Sequence, residues 1–170
     1  TIAIVMCRAE RNVSTEVQYK NVLVEEFTGI HCGYCPQAHK IVAELLKAQP
    51  EKVYAIAVHA GHYSVPHSDE PDFRTSEGTE INNHFGITGY PAGLVNRQRF
   101  DDMIVINRSS WATIASIESQ ETAPVNLWMK SSYDESSRTL TVDVEGYYTA
   151  DTNADFNLLN VVVTENNIMG

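Results

Sequence analysis

Residues 22–39 read VLVEEFTGIHCGYCPQAH, and their order constrains the fold more than any other stretch. VLVEEFT predicts a strand, with Val22, Leu23, Val24 and Phe27 flanking two adjacent acids. A glycine and a short loop lead to Cys32 and Cys35, two residues apart. From Pro36 the period changes: Ala38, Ile41, Val42, Leu45 and Leu46 recur at helical spacing. Pro36 suits a first helical turn, where its missing N–H costs nothing, and Pro50 helps stop the helix. A cysteine pair between a strand and a helix N-terminus has a chemical logic. The helix start carries partial positive charge and free N–H groups, and both stabilise a thiolate.

The rest of the chain extends an α/β pattern. VYAIAV at 53–58 is an apolar run of the kind a central, doubly covered strand requires. Residues 59–76 form a long polar connection, and long connections of this kind carry function or mobility. A short helix is predicted over 76–85 with Ser76 as its N-cap. GITGYPAGLVN at 86–96 leads into another apolar strand. The acids Asp101 and Asp102 fit a hairpin turn, and SSWATIASIES at 109–119 predicts a helix with Trp111, Ile114 and Ile117 on one side. After Pro124 the pattern turns all-β, with strands expected near 125–133, 138–148 and 156–164. This gives two units, 1–122 (core about 20–121) and 123–170, the second a sandwich-like segment with too few strands to cover its own sheet.

With 170 residues, 43% of them hydrophobic, the chain can bury one ordinary core and part of another. Its formal net charge of −10 argues against nucleic acid and anionic lipid as partners. No run is long enough for a transmembrane helix. The opening TIAIVMC reads as a remnant of an export signal or as a buried strand, and the β-branched Ile2, Ile4 and Val5 favour the strand.

Three cysteines are too few for a disulfide-dense scaffold. Cys7 reads as a small buried hydrophobe. Cys32 and Cys35 admit three readings: a redox-active pair, an inert staple, or part of a metal site with His31 or His39. A structural zinc wants four ligands, which the local sequence does not supply. His59, His62 and His67 have a spacing that suits a transition metal, but a solvated loop also accounts for them.

Residues 22–46 and GITGYPAGLVN together resemble the thioredoxin superfamily across roughly residues 20–121. EEFTGIHCGYC, TGYPAGLVN and the tail LNVVVTENNI more narrowly resemble the outer-membrane-protein-28-related envelope proteins of Bacteroidetes-type bacteria. The wider resemblance implies a thioredoxin-like fold, a central mixed sheet flanked by helices. It implies Cys32 as an exposed nucleophile, Cys35 as the buried resolving thiol, and Glu26 as the buried acid that moves the resolving thiol's proton. Pro91 takes the place of a cis-proline whose loop receives the substrate chain, with Tyr90, His31, Gly33 and Tyr34 completing the substrate surface. Tyr34 and His31 depart from the family's usual Pro and Trp, and the mid-helix proline is missing.

The implied function is extracytoplasmic thiol–disulfide exchange with protein substrates, in the periplasm, at the outer membrane or secreted. No cofactor is needed beyond the disulfide, and no resident metal is expected. The other class of reading is a non-catalytic envelope binding protein with a structural disulfide.

Overall fold

The computed structural model describes residues 12–152 and 157–168. The expected apolar strand at 1–7, with Cys7, lies outside the described residues, as does part of the turn expected at 151–154.

Six elements build the first unit: β1 (Val22–Thr28), α1 (Cys35–Ala48), β2 (Val53–His59), α2 (Ser76–His84), β3 (Ala92–Val95) and α3 (Trp111–Glu118). The strands form one mixed sheet in the order β2–β1–β3. β1 runs parallel to β2, from Val22↔Val53 to Thr28↔His59, and antiparallel to β3, from Val24↔Val95 to Phe27↔Ala92. The C-terminal ends of β1 and β2 and the start of β3 therefore lie at one end of the sheet.

The centre of this sheet is VLVEEFT, not VYAIAV. β2 is an edge of the described sheet, and Tyr54 on it is 49% exposed. An apolar run reports a strand's tolerance for burial, not its number of neighbours. The two acids of β1 can be central because each has a partner. Glu25 receives a bidentate hydrogen-bonded ion pair from Arg97 at 2.7 and 2.6 Å, and Glu26 meets His39. Strand alternation places Val22, Val24, Glu26 and Thr28 on one face and Leu23, Glu25 and Phe27 on the other.

The first face packs against α1. Ala38, Val42 and Leu45 join Val22, Val24, Val53 and Val95 in one core cluster that also takes in Trp111, Ile114 and Ala115. The second face, through Phe27 and Leu94, builds another cluster with Val58, Ala60 and Ile87. Trp111 is fully buried, and its Nε1 donates to the Ile106 carbonyl at 3.0 Å. Its ring fills the place where Gly93 lacks a side chain, since a Cβ there would lie 2.5 Å from the indole.

Two local expectations change, and the hairpin turn at 101–102 is found as expected. Thr75, not Ser76, caps α2, and its hydroxyl accepts from the Gly78 N–H at 2.9 Å. Ile117 is exposed, because the buried positions of α3 follow Trp111, Ile114, Ala115 and Glu118, and Ile117 is off that stripe. Glu118 takes the inner place and is held by Lys20 Nζ at 3.2 Å and Asn96 Nδ2 at 2.9 Å. At the hairpin turn, Asp101 and Asp102 both have positive φ, and Phe100 and Met103 exchange backbone hydrogen bonds around them.

The second unit holds β4 (Val125–Asp134) and β5 (Thr139–Tyr148), an antiparallel pair in register from Val125↔Tyr148 to Asp134↔Thr139. Asp134 Oδ1 accepts from the Ser136 N–H at 2.8 Å and caps the turn. The segment before Lys20 belongs here: Asn12 bonds Glu145, and Asn126 Nδ2 donates to the Ser14 and Glu16 carbonyls at 2.9 and 2.7 Å. The compact units are accordingly 20–121 with 161–170, and 1–19 with 122–160.

The strand expected at 156–164 is absent among the described residues 157–164. Leu158, Leu159 and Val161–Val163 are exposed there and pair with no described strand; β propensity alone does not make a strand. The described residues thus give a two-stranded ribbon in place of a sandwich. Among them, no helix is long and apolar enough to cross a membrane.

Candidate functional site

The site forms where β1 runs out. The Cys32 N–H donates to the Gly29 carbonyl at 3.0 Å, turning the chain, and the Cys35 N–H donates to the Cys32 carbonyl at 3.2 Å. Cys32 and Cys35 are joined as a disulfide with Cα atoms 5.4 Å apart. Cys35 is the first residue of α1, and Pro36 occupies the first turn. That helix start has no side-chain cap and no acidic residue in its first turn, so nothing there competes with a sulfur anion for its positive end.

Cys32 is 6% exposed and Cys35 1%. Cys32, expected to be exposed, is therefore buried in this disulfide state, as is Cys35. Around it, Tyr34 is 72% exposed, and the space beside Gly33 is empty. Arg108 lies over the Tyr34 ring at 5.9 Å while donating to Gln37 of α1.

The start of the polar loop is stitched to this turn. The His31 N–H donates to the Tyr63 carbonyl at 2.9 Å, and the Ser64 hydroxyl lies 2.8 and 2.7 Å from the Thr28 and Ala60 carbonyls. Gly29 is obligatory at this crossing, because a Cβ would stand 2.5 Å from the Tyr63 backbone. The Tyr90–Pro91 peptide is cis. Pro91 directly precedes β3, so its loop is at the same end of the sheet as the cysteines. Tyr90 is turned away from a purely surface role: its hydroxyl donates to Asn82 Oδ1 at 2.6 Å, and its ring meets Tyr63 edge-on.

Behind the disulfide, on the β1–α1 interface, Glu26 is 2% exposed, and its Oε2 lies 3.1 Å from His39 Nδ1. His39 Nε2 lies 3.3 Å from the Thr28 hydroxyl. Glu26 Oε1 and His59 Nδ1 are buried without hydrogen-bond partners. The face alternation of β1 settles which acid approaches the cysteine helix: Glu26 does, while Glu25 is committed to Arg97 on the other side.

The hydrogen bond from Glu26 raises the His39 pKa above its ordinary 6.5, with burial opposing and the carboxylate's charge assisting. His59 moves the other way, lowered by burial and by the charge of His39. Since the folded value for His39 exceeds the unfolded one, its contribution to stability is complete below pH 6.5 and is lost as pH rises through the folded value. Glu26→Gln is expected to bring the His39 titration down to or below 6.5, read by NMR of the ring protons. An unchanged midpoint would remove the carboxylate as the cause.

His39 was legible only as a spare metal donor, although its place one turn after Cys35 puts it on the cysteine side of α1. The histidines of the polar loop do not converge. His59 packs edge-on against Phe73, His62 lies against Tyr63 and Tyr90, and His67 stacks on His31. The group among the described residues that can meet one cation is instead His31, His67 and Glu70.

A family model described as outer membrane protein Omp28 matches residues 79–170, just over half of the chain. The match begins inside α2 and takes in the Pro91 loop, α3 and the ribbon, but not the cysteines. Comparison with curated proteins found no match. Among solved structures, HBP35 of Porphyromonas gingivalis is similar at 21% identity and a TM-score of 0.47, over 68% of this chain and 38% of that one. A structural-genomics target from Agrobacterium tumefaciens is similar at 17% identity and a TM-score of 0.47, over 69% of this chain and 54% of its own. This chain therefore spans 38% and 54% of the length of those two proteins.

Proposed function

The chain belongs to the Omp28 family of outer membrane proteins, and from that premise we propose that it is a cell-envelope thiol–disulfide oxidoreductase on a thioredoxin-like scaffold. The observation that carries this reading is the disulfide at the uncapped start of α1, with the buried Glu26 paired to His39 of the same helix. In the reduced protein, the Cys32 thiolate attacks one sulfur of a substrate disulfide, and the other substrate sulfur leaves as a thiolate. Cys35 gives its proton to Glu26 and attacks the Cys32 sulfur of the mixed disulfide. The substrate sulfur held in that mixed disulfide leaves as a thiolate, and Cys32–Cys35 re-forms. Run in reverse, the same steps oxidise a dithiol. The pair is its own redox group, so no cofactor enters. Proteins are the substrate class, and the backbone beside Pro91 is where an extended substrate chain would lie.

A specific observation favours a second reading, in which the disulfide is a staple and the chain an envelope binding protein: Cys32 is only 6% exposed. A redox titration separates the two. The protein is equilibrated in thiol–disulfide buffers, alkylated, and the pair read by mass. A midpoint within roughly −120 to −270 mV supports exchange, whereas one below about −300 mV marks a staple and overturns the proposal.

Glu26→Gln is expected to slow exchange by about 100-fold, the lower end of what a positioned proton carrier contributes. A rate equal to that of the unaltered protein would take Glu26 out of the mechanism.

A further inference from the structure

We propose that His31, His67 and Glu70 form a binding site for a divalent transition-metal ion of the zinc class, tying the polar loop to the residue beside Cys32. Two imidazoles and one carboxylate are the donor set, and their candidate ligand atoms all lie within 4.8 Å of one another.

His67 and Glu70 are set by their own turn. The His67 N–H donates to Glu70 Oε2 at 2.8 Å, and the Glu70 N–H donates to the His67 carbonyl at 3.2 Å. His31 arrives from the cysteine loop, with its ring 4.2 Å from the ring of His67 and tilted by 35°. The single carboxylate faces both rings: Glu70 Oε2 is 2.9 Å from His31 Nε2, and Oε1 is 3.5 Å from His67 Nδ1.

His31 Nε2 is a buried atom with no hydrogen bond, because the carboxylate, though close, does not meet hydrogen-bond geometry. A cation between this nitrogen and the carboxylate would give each a directed partner in place of a misaligned contact. The carboxyl of Glu70 is held below its ordinary value, first by the His67 N–H and then, against burial, by the two rings, so it is ionised at neutral pH.

Nitrogen donors select a zinc-class ion over calcium or magnesium, which prefer oxygen alone. Tetrahedral zinc with bonds of about 2.0–2.1 Å needs donors about 3.4 Å apart. His67, 78% exposed, is the donor able to move inward. Three protein ligands leave a fourth position to water or to an incoming ligand. The site needs no thiolate, so it exists while the cysteines are joined.

The test is calorimetric titration of zinc chloride into the metal-stripped, disulfide-intact protein. The expected result is one zinc per chain, with His67→Ala and Glu70→Gln each weakening binding at least about tenfold, while His62→Ala in the same loop leaves it unchanged. His67 and Glu70 are on the surface, and intact circular dichroism of their variants confirms that the loss is of ligands. No heat up to millimolar zinc would overturn the proposal. So would binding that survives both variants, or binding that appears only after reduction and disappears in a Cys32→Ser, Cys35→Ser double variant. The measurement is made on the oxidised protein and does not depend on the disulfide's potential, so it can fail or succeed apart from the oxidoreductase reading.

Discussion

Cys32→Ser is expected to reduce disulfide exchange to the uncatalysed background, and Cys35→Ser to leave the protein covalently joined to its substrate. The asymmetry follows from position. Cys32 ends a turn whose next residues are an open glycine and an exposed tyrosine, and in the proposed mechanism the substrate sulfur approaches from that side. Cys35 is inside the first turn of α1 at 1% exposure and is bonded to Cys32. Without Cys35 the mixed disulfide has no internal nucleophile to resolve it. The measurements are insulin reduction for the first variant and non-reducing electrophoresis with mass analysis for the second. Full activity in Cys32→Ser, or equal trapping by both variants, would refute the assignment.

Trp111→Ala is expected to lower unfolding free energy by about 3–5 kcal/mol, the range for emptying a large aromatic site. Trp111 is fully buried among Val22, Val24 and Val95 on the face of β1 that also carries Glu26. The variant also leaves the Ile106 carbonyl without the indole donor, at the point where Ile106 and Gly93 exchange backbone hydrogen bonds. Trp111→Phe is the milder comparison, keeping part of the volume but not the N–H. Urea unfolding of both variants gives the values. A loss under about 1 kcal/mol in Trp111→Ala would mean that the pocket collapses or that α3 contributes little to this core.

Much of the fold was legible in the residues. β1, α1, β3 and the β4–β5 ribbon have strong local signals: a period that switches from two to 3.6, a proline at a helix start, turn residues between alternating strands. Other features depended on partners that no local pattern names. β2 has the most apolar run and is still an edge of the described sheet, because sheet order is set by pairing. The partners that let the acids of VLVEEFT sit in the central strand, Arg97 and His39, are 72 and 13 residues away and carry no local signal. Ile117 was misplaced by counting in threes along α3, where the buried stripe needs alternating threes and fours. The segment 157–164 has strand composition and yet pairs with no described strand, because composition does not supply a partner.

In the candidate site, the cysteines and Glu26 were visible from spacing and resemblance. The His31–His67–Glu70 group was not, since it joins residues 36 and 39 positions apart through a loop whose path only the structure gives.

Gly29 and Gly33 bracket the first cysteine of the pair, yet they differ in what they permit. At Gly29 the neighbouring backbone occupies the space of a side chain, while at Gly33 nothing lies within 4 Å and the backbone is one that any residue can adopt. Tyr34 beside it points largely into solvent. For protein engineering this makes the loop modular: the frame is locked one turn upstream, and the two positions between the cysteines are open to randomisation. A library at 33 and 34 would vary the chemistry next to the sulfurs while leaving the melting behaviour of the sheet where it was.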